Sequence, residues 1–179
     1  MRLFTAIDPP NDARNGLSEL QQTTSLAARW TDPEQFHVTL RFLGDVPSDQ
    51  AERINDALGR IQASPVTCRP YGLDLLPSRR NPRVLIVGLE RSDALLDLYR
   101  KVSDAVEAHG LDPDDRPFRP HVTLARLDDV SPEDVHAVVT ATDTSSLEPF
   151  TVNAFHLYES TLTSEGAVHD RRASFSLSG

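Results

Sequence analysis

The sequence has little of several residue types that would support particular structures. Cys68 is the only cysteine, which excludes an internal disulfide and any zinc site built on several thiolates of one chain. No apolar run approaches the roughly 18 residues that a membrane span requires. The first segment turns acidic at Asp8, too early for the apolar part of a secretory signal. We therefore expect a cytoplasmic protein without membrane contact.

Lysine is also nearly absent. Lys101 is the only one, so 17 of the 18 lysine and arginine residues are arginine, and the formal net charge is −9. A chain this acidic is a poor candidate for nonspecific nucleic-acid binding, because that mode depends on many cations. Any contact with RNA must therefore be local. The lack of lysine and the excess of aspartate lead to the hypothesis of a high-salt cytoplasm.

Three groups of arginines offer local positive charge. They are Arg79 and Arg80 with Arg83, Arg116 with Arg119, and Arg171 with Arg172. Each group suits either a contact with RNA or a solvated loop, and the sequence does not separate the two.

The 179 residues, of which 39% are hydrophobic, suffice for one domain with a substantial core. Periodicity and turn residues predict the order β-α-β-α-β-β-α-β-α-β-β, an α+β pattern. Strands are predicted over residues 3–7, 37–43, 66–76, 83–89, 121–127, 150–162 and 173–177. Helices are predicted from a cap at Asn11 or Asp12 to Ala28, from Ser48 through Ile61, from Leu95 to Val106, and after Ser131.

A ten-residue segment occurs twice. Residues 37–46 read HVTLRFLGDV and residues 121–130 read HVTLARLDDV, so seven of ten positions agree at an offset of 84 residues. Both copies lead into a predicted helix. Duplication explains this better than chance, and two copies so far apart indicate two pseudo-symmetric lobes rather than a solenoid.

Alternation along a strand places His37 and Thr39 on one face, and His121 and Thr123 on one face of the second copy. The valines and leucines between them point to the opposite, apolar side. If a pseudo-two-fold axis relates the lobes, both histidine–threonine pairs face one central cleft. The other histidines (His109, His136, His156 and His169) lack a hydroxyl partner of this kind, and we interpret them as surface or structural residues.

Two imidazoles and two hydroxyls around one site suit phosphodiester cleavage. That reaction needs a base to activate the attacking oxygen and an acid to protonate the leaving oxygen. Histidine can perform either task near neutral pH. Threonine hydroxyls can donate hydrogen bonds to the non-bridging oxygens as negative charge grows. Neither role requires a metal or another cofactor.

These motifs resemble those of the two-histidine (2H) phosphoesterase superfamily, whose hallmark is a pair of His-x-Thr/Ser-x motifs with hydrophobic x. Segments 1–8, 36–44, 116–126 and 157–162 are similar to the RNA 2′,3′-cyclic phosphodiesterase branch. The resemblance covers essentially the whole chain. It implies that residues 1–179 form a single bilobal α+β domain, with an antiparallel sheet and helices in each lobe around a central cleft.

The resemblance also implies a reaction and its residues. A 2′,3′-cyclic phosphate would be hydrolysed to a 2′-phosphate, with RNA ends or small cyclic nucleotides as substrates. Apart from the resemblance, we expect a monomer. His37 would protonate the leaving 3′ oxygen and His121 would activate water, although pseudo-symmetry makes these two roles nearly interchangeable. Thr39 and Thr123 would hold the phosphate, and Arg126 would add a charge-assisted contact.

Strict alternation from His121 would turn Arg126 away from the site. Leu127 is out of phase with Leu124 as well, so we predict a bulge or a strand end near Ala125. Phe42 and Phe118 are candidates for stacking on a base, with core packing as the alternative for each.

Other functions remain open at this point. Some 2H relatives join RNA through 2′-5′ linkages or act on other phosphodiesters, and the same scaffold would serve them. A non-catalytic protein that binds RNA ends would have no need of two titratable groups. A metal-dependent phosphatase would need carboxylate ligands, which are missing near the histidine motifs.

Overall fold

A computed structural model describes residues 1–179 as an α+β protein with two lobes, each built on a four-stranded antiparallel sheet. The strands are β1 (Arg2–Ile7), β2 (Arg29–Trp30), β3 (Val38–Asp45), β4 (Val66–Cys68), β5 (Pro70–Pro77), β6 (Pro82–Leu89), β7 (His121–Arg126), β8 (Phe150–Val152), β9 (Ala154–Thr163) and β10 (Gly166–Ser176). The helices are α1 (Asn11–Thr23), α2 (Ser48–Leu58), α3 (Asp93–Glu107) and α4 (Pro132–Ala141). No helix is both long and apolar enough to cross a membrane.

The two sheets are built around the two copies of the repeat. The first sheet has the order β10-β9-β1-β3 and the second has the order β2-β7-β6-β5, while β4 and β8 form a separate pair. Strand β3 carries the first motif and pairs with β1, whereas β7 carries the second motif and pairs with β6. The predicted α+β class with two antiparallel lobes is confirmed.

A cluster of 34 buried residues forms the hydrophobic core. On the apolar side of α3, Leu95, Leu98, Val102 and Val106 are buried in it, as the helical spacing predicts, while Tyr99 is half-buried. Ser92 and Ser131 begin α3 and α4 by accepting hydrogen bonds from backbone amides three residues later, at 3.3 and 3.2 Å. For Ser131 this confirms the predicted helix start.

The predicted caps of the first two helices are wrong. Helices α1 and α2 begin directly after Pro10 and Pro47, and no side chain caps either of them. Helix α1 also ends at Thr23 and not at Ala28. At this end the hydroxyl of Thr24 donates a hydrogen bond to the carbonyl oxygen of Leu20 at 2.6 Å. Helix α2 likewise ends at Leu58, before Ile61.

Three strand predictions need correction. The segment 66–76 is two strands, because β4 pairs with β8 while β5 pairs with β6. The segment 150–162 is also two strands, because β8 pairs with β4 while β9 pairs with β1. Strand β10 begins at Gly166 instead of Ala173, since its polar first half pairs with β9 as a ribbon with mostly exposed or half-buried side chains.

Candidate active site

The two motif histidines make the same hydrogen bond. Nδ1 of His37 lies 2.8 Å from the carbonyl oxygen of Gln35, and Nδ1 of His121 lies 2.6 Å from the carbonyl oxygen of Arg119. A carbonyl oxygen only accepts, so Nδ1 must carry the proton in each ring. In the neutral state Nε2 is then the basic nitrogen, and the same tautomer is set on both lobes.

The pKa values of both imidazoles are lowered, and the main cause is the same in each. Burial is the main cause that lowers the pKa of His37, while its bond to Gln35 and the charge of Asp8 act in the opposite direction. Burial lowers the pKa of His121 as well, and positive charge on His37 and Arg119 lowers it further. Strands β3 and β7 approach within 8 Å between Cα atoms. The two motifs therefore meet across one cleft.

A bulge lies at the same leucine in both motifs. On β3, Thr39 pairs with Ala6 and Arg41 with Thr5, which leaves Leu40 without a partner. On β7, Thr123 pairs with Ile86 and Ala125 with Leu85, which leaves Leu124 without one. The predicted bulge near Ala125 is confirmed, and it lies at the preceding residue, Leu124. Because Leu40 has the same bulge, the two copies of the repeat also share their backbone geometry.

The bulges return the following side chains to the cleft side. Paired residues of neighbouring strands share a face, so Phe42 opposite Phe4 and Arg126 opposite Val84 lie on the same faces as the motif threonines. Phe42 is 56% exposed and Arg126 is also exposed. Asp128, the carboxylate near Arg126 in sequence, is paired with Arg29 at 3.3 Å.

The motif threonines occupy matching places in the two sheets. Thr39 and Thr123 are half-buried and stand two residues after His37 and His121, on the same faces as those histidines. The structure thus places Thr39 and Phe42 on the same face as His37, and Thr123 and Arg126 on the same face as His121, with the two histidines close enough for the charge of one to affect the other.

Phe118, the other stacking candidate, is placed differently. Its ring stacks on Tyr99 of α3, with centroids 4.2 Å apart and planes at 6°, and it packs against the hydrophobic core. One face of the ring is therefore already covered, which favours the core packing named as the alternative.

A small pocket beside His37 contains residues from outside the two histidine motifs. It is lined by Phe4, Asp8, Tyr158 and His169 together with residues 34–37. The ring of His169 meets His37 edge-on at 5.4 Å and Phe4 edge-on at 4.9 Å, and its Nδ1 is buried without a hydrogen-bond partner. His169 was interpreted as surface or structural because its partners are remote in sequence.

Asp8 organises the far side of this pocket. Its Oδ2 accepts hydrogen bonds from the hydroxyl of Tyr158 and from Nη2 of Arg171, both at 2.6 Å, and His156 Nε2 lies 3.7 Å away. The Tyr158 ring in turn stacks on Phe4, with centroids 5.3 Å apart. The only sequence signal for this network was the similarity of segments 1–8 and 157–162 to the phosphodiesterase branch.

Several arginines of the predicted clusters are engaged within the protein. Arg171 binds Asp8, Arg172 pairs with Glu159 at 3.4 Å, and Arg116 pairs with Asp114 at 3.0 Å. Arg79 pairs with Asp74 at 3.2 Å and Arg119 donates to the carbonyl oxygen of Pro77 at 3.3 Å, although both side chains remain exposed.

Comparison with known proteins decides the family. Residues 7–86 and 87–169 each match the family described as LigT-like phosphoesterase. The chain belongs to this family. The boundary between the two matches separates the two copies of the motif, in agreement with the duplication, and the resemblance to 2H phosphoesterases is confirmed.

Two relatives of this LigT-like phosphoesterase match it over more than nine tenths of both chains. A protein of Archaeoglobus fulgidus named RNA 2′,3′-cyclic phosphodiesterase is 30% identical, covering 94% of this chain and 96% of that protein. One of the same name from Thermus thermophilus is 31% identical, covering 100% of this chain and 91% of that protein. These relationships support a phosphoesterase.

Solved structures confirm the fold. The structure of the Thermus thermophilus protein TT0787 superimposes with a TM-score of 0.78 at 29% identity, covering 100% of this chain and 99% of that one. E. coli LigT, solved in complex with 3′-AMP, gives a TM-score of 0.78 at 24% identity, covering 99% and 98% of the two chains. At that identity the second likeness concerns the fold alone.

Proposed function

We propose that this LigT-like phosphoesterase hydrolyses 2′,3′-cyclic phosphate ends of RNA to 2′-phosphates, with His37 and His121 as its acid and base. The observation that carries the proposal is the matched pair of cleft histidines, each with Nδ1–H fixed on a carbonyl oxygen two residues earlier. The names of the relatives support the cyclic phosphate as substrate.

The reaction needs one proton removed and one proton supplied. His121 Nε2 would take a proton from water as the water oxygen attacks phosphorus. The bond between phosphorus and the 3′ oxygen then breaks, and His37 Nε2 would donate its proton to that oxygen. The product carries a 2′-phosphate and a free 3′-hydroxyl, and a proton exchange with solvent restores both histidines.

Nearby charges favour this assignment over the reverse. The carboxylate of Asp8 raises the pKa of His37 against the larger effect of burial, so it stabilises the imidazolium that an acid requires. Positive charge on His37 and Arg119 adds to burial in lowering the pKa of His121, which stabilises the neutral imidazole that a base requires. The difference in surroundings thus separates two histidines that the repeat makes equivalent.

The remaining cleft residues would bind the substrate. Thr39 and Thr123 would donate hydrogen bonds to the non-bridging phosphate oxygens, and Arg126 would contribute a charge-assisted contact. The exposed ring of Phe42 offers a surface for stacking.

No group of three or more His, Cys, Asp or Glu side chains is arranged to hold a metal ion. The proposal therefore assigns both proton transfers to histidine and none to a metal-bound water. It also treats residues 1–179 as one bilobal domain that acts as a cytoplasmic monomer.

The test is incubation with an oligoribonucleotide that ends in a 2′,3′-cyclic phosphate, in the presence of EDTA, followed by identification of the product. We expect ring opening that EDTA does not slow, with a 2′-phosphate as the only product. An unopened ring, a 3′-phosphate product, or loss of activity on chelation would refute the proposal. Tight binding of the RNA end without turnover would indicate the non-catalytic alternative.

A further inference from the structure

Tyr71 is an aromatic residue for which the proposed reaction has no role. It and Phe42 are the two aromatic side chains that are more than half exposed, at 54% and 56%. Between β5 and β6, Pro70 pairs with Leu89 and Gly72 pairs with Gly88, so Tyr71 is an extra residue in a bulge. Gly72 permits this path because its φ is +135°, a conformation that other residues rarely adopt.

The bulge lays the Tyr71 ring directly on Gly88. A Cβ atom at Gly88 would overlap Cζ and the hydroxyl oxygen of Tyr71. The ring thus occupies the space that any side chain at position 88 would fill. Gly88 therefore has a packing role, because only glycine leaves room for the ring.

This position is next to His121. Gly88 pairs with His121 across β6 and β7, and directly opposed residues project to the same face with Cβ positions about 5 Å apart. The Tyr71 ring consequently lies on the face of the second sheet that carries His121 and Thr123.

Charged groups surround the edge of the ring. The Tyr71 hydroxyl donates to Oδ2 of Asp74 at 3.3 Å, and Arg79 binds the other oxygen of the same carboxylate at 3.2 Å. Burial and Asp74 raise the pKa of Tyr71, whereas the charges of Arg119 and Arg79 act in the opposite direction. The charge of Arg119 lowers the pKa of His121 as well, so one exposed cation lies near both Tyr71 and His121.

Unpaired nucleobases bind by stacking on exposed aromatic rings while nearby cations attract the phosphates. The Tyr71 ring is exposed, fixed against Gly88 and flanked by arginines, so it offers this arrangement. We propose that Tyr71 is a second stacking platform for the base of the reacting nucleotide, on the opposite lobe from Phe42, while the cyclic phosphate lies between His37 and His121. The inference rests on the proposed function, and it adds a contact from the second lobe to the stacking surface that Phe42 offers on the first.

The first test compares adenosine 2′,3′-cyclic phosphate with methyl riboside 2,3-cyclic phosphate, which has no base. Tyr71→Ala should raise KM for the adenosine compound about tenfold, because a base–aromatic stack of average strength is worth that factor. It should leave KM for the riboside as it is in the wild type. Tyr71→Phe keeps the ring and should restore the wild-type KM. Equal KM values of wild type and Tyr71→Ala for the adenosine compound would overturn the stacking role.

Binding without turnover separates this inference from the proposed function. The affinity for adenosine 2′-monophosphate, measured by calorimetry, should fall about tenfold in Tyr71→Ala, whereas the affinity for inorganic phosphate should not. If the wild type opens no cyclic phosphate, the proposed function fails, and this measurement still decides on Tyr71. Equal affinity of wild type and Tyr71→Ala for the nucleotide would overturn the inference.

Gly88→Ala is a second, independent test. The new methyl group would displace the Tyr71 ring from the strand, so the variant should lose nucleotide affinity although Tyr71 is intact. In the Tyr71→Ala background the methyl group has room, and Gly88→Ala should then cause no further loss. Losses that multiply in the double variant would contradict the proposed contact between the two residues.

Discussion

His169 packs edge-on against His37, with ring centroids 5.4 Å apart and ring planes at 87°. Burial lowers the pKa of both rings, and positive charge on His37 lowers the pKa of His169 further. Both imidazoles are therefore held in the neutral form more strongly than in an unfolded chain. His37 and His169, which border the proposed site, therefore also make the free energy of unfolding depend on pH.

This linkage predicts a loss of stability in acid. In the unfolded chain a histidine titrates near pH 6.5, and in the folded protein His37, His121 and His169 titrate below that value. The unfolded state thus binds more protons in the window below about pH 6.5. The free energy of unfolding, measured with urea, should be highest above this window and should fall as the pH is lowered through it.

The variant His169→Phe retains a ring against Phe4 and His37 but cannot be protonated. Its free energy of unfolding should fall less than that of the wild type between pH 7 and pH 5. An identical fall in both proteins would show that His169 does not take part in the linkage.

Asp8→Asn tests the assignment of His37 as the acid. The carboxylate raises the pKa of His37, so its removal should lower that pKa. The acid form would then be lost at a lower pH, and the basic limb of the profile of kcat/KM against pH should move to lower pH. Tyr158→Phe, which removes one hydrogen bond to Asp8 but keeps its charge, is the control. A shift of the acidic limb alone would assign the acid role to His121 instead.

A substitution of Arg41 should lower the stability of the protein, although this side chain lies on the face of β3 opposite Thr39 and Phe42. Its side chain is 6% exposed and binds Glu107 at 3.5 Å and Asp114 at 3.3 Å, which ties β3 to the end of α3 and the loop beyond it. Arg41→Met removes one partner from two partly exposed carboxylates, of which Asp114 keeps Arg116, and should lower the free energy of unfolding by about 1–2 kcal/mol.

The matched control for Arg41 is Arg53→Met, which removes an exposed pair with Asp49 at 3.0 Å within α2. Its cost should stay under about 0.5 kcal/mol. Equal losses in the two variants, measured by urea unfolding, would contradict the importance given to the Arg41 pairs.

The acidic composition predicts a dependence on salt. With a net charge of −9 and one lysine, repulsion between surface carboxylates should destabilise the folded state when counterions are scarce. The Tm should therefore rise steadily as KCl is raised from millimolar to molar concentrations. Full stability without added KCl would count against the high-salt hypothesis.

The two motif strands were predictable because their information is local. Alternation in the two HVTL segments separates the histidine–threonine face from the buried valines and leucines, and the structure has the same division. Even the irregularity in β7 could be anticipated, since Arg126 and Leu127 break the alternation that His121 begins. Helices α3 and α4 were predicted for the same reason, α3 from its apolar spacing and α4 from its serine cap.

The remaining features depend on contacts between distant segments. Pro70 marks the break after Arg69, since proline is typical of the first residue of a strand, but nothing near Asn153 indicates the second break. Both breaks arise where β4 and β8 leave their neighbours to pair with each other. The half of β10 that carries His169 has no apolar stripe, and only its pairing with β9 brings this ring to His37. Tyr71 was missed because its position depends on a bulge opposite Gly88.

The central claim is that the two motif histidines perform the proton transfers. Its most direct test is the single-turnover rate of opening a 2′,3′-cyclic phosphate by the wild type, His37→Ala and His121→Ala, with His109→Ala as a control at the far end of α3. We predict that each motif variant is about 100-fold slower or more and that the control keeps the wild-type rate. A wild-type rate in either motif variant would contradict the account.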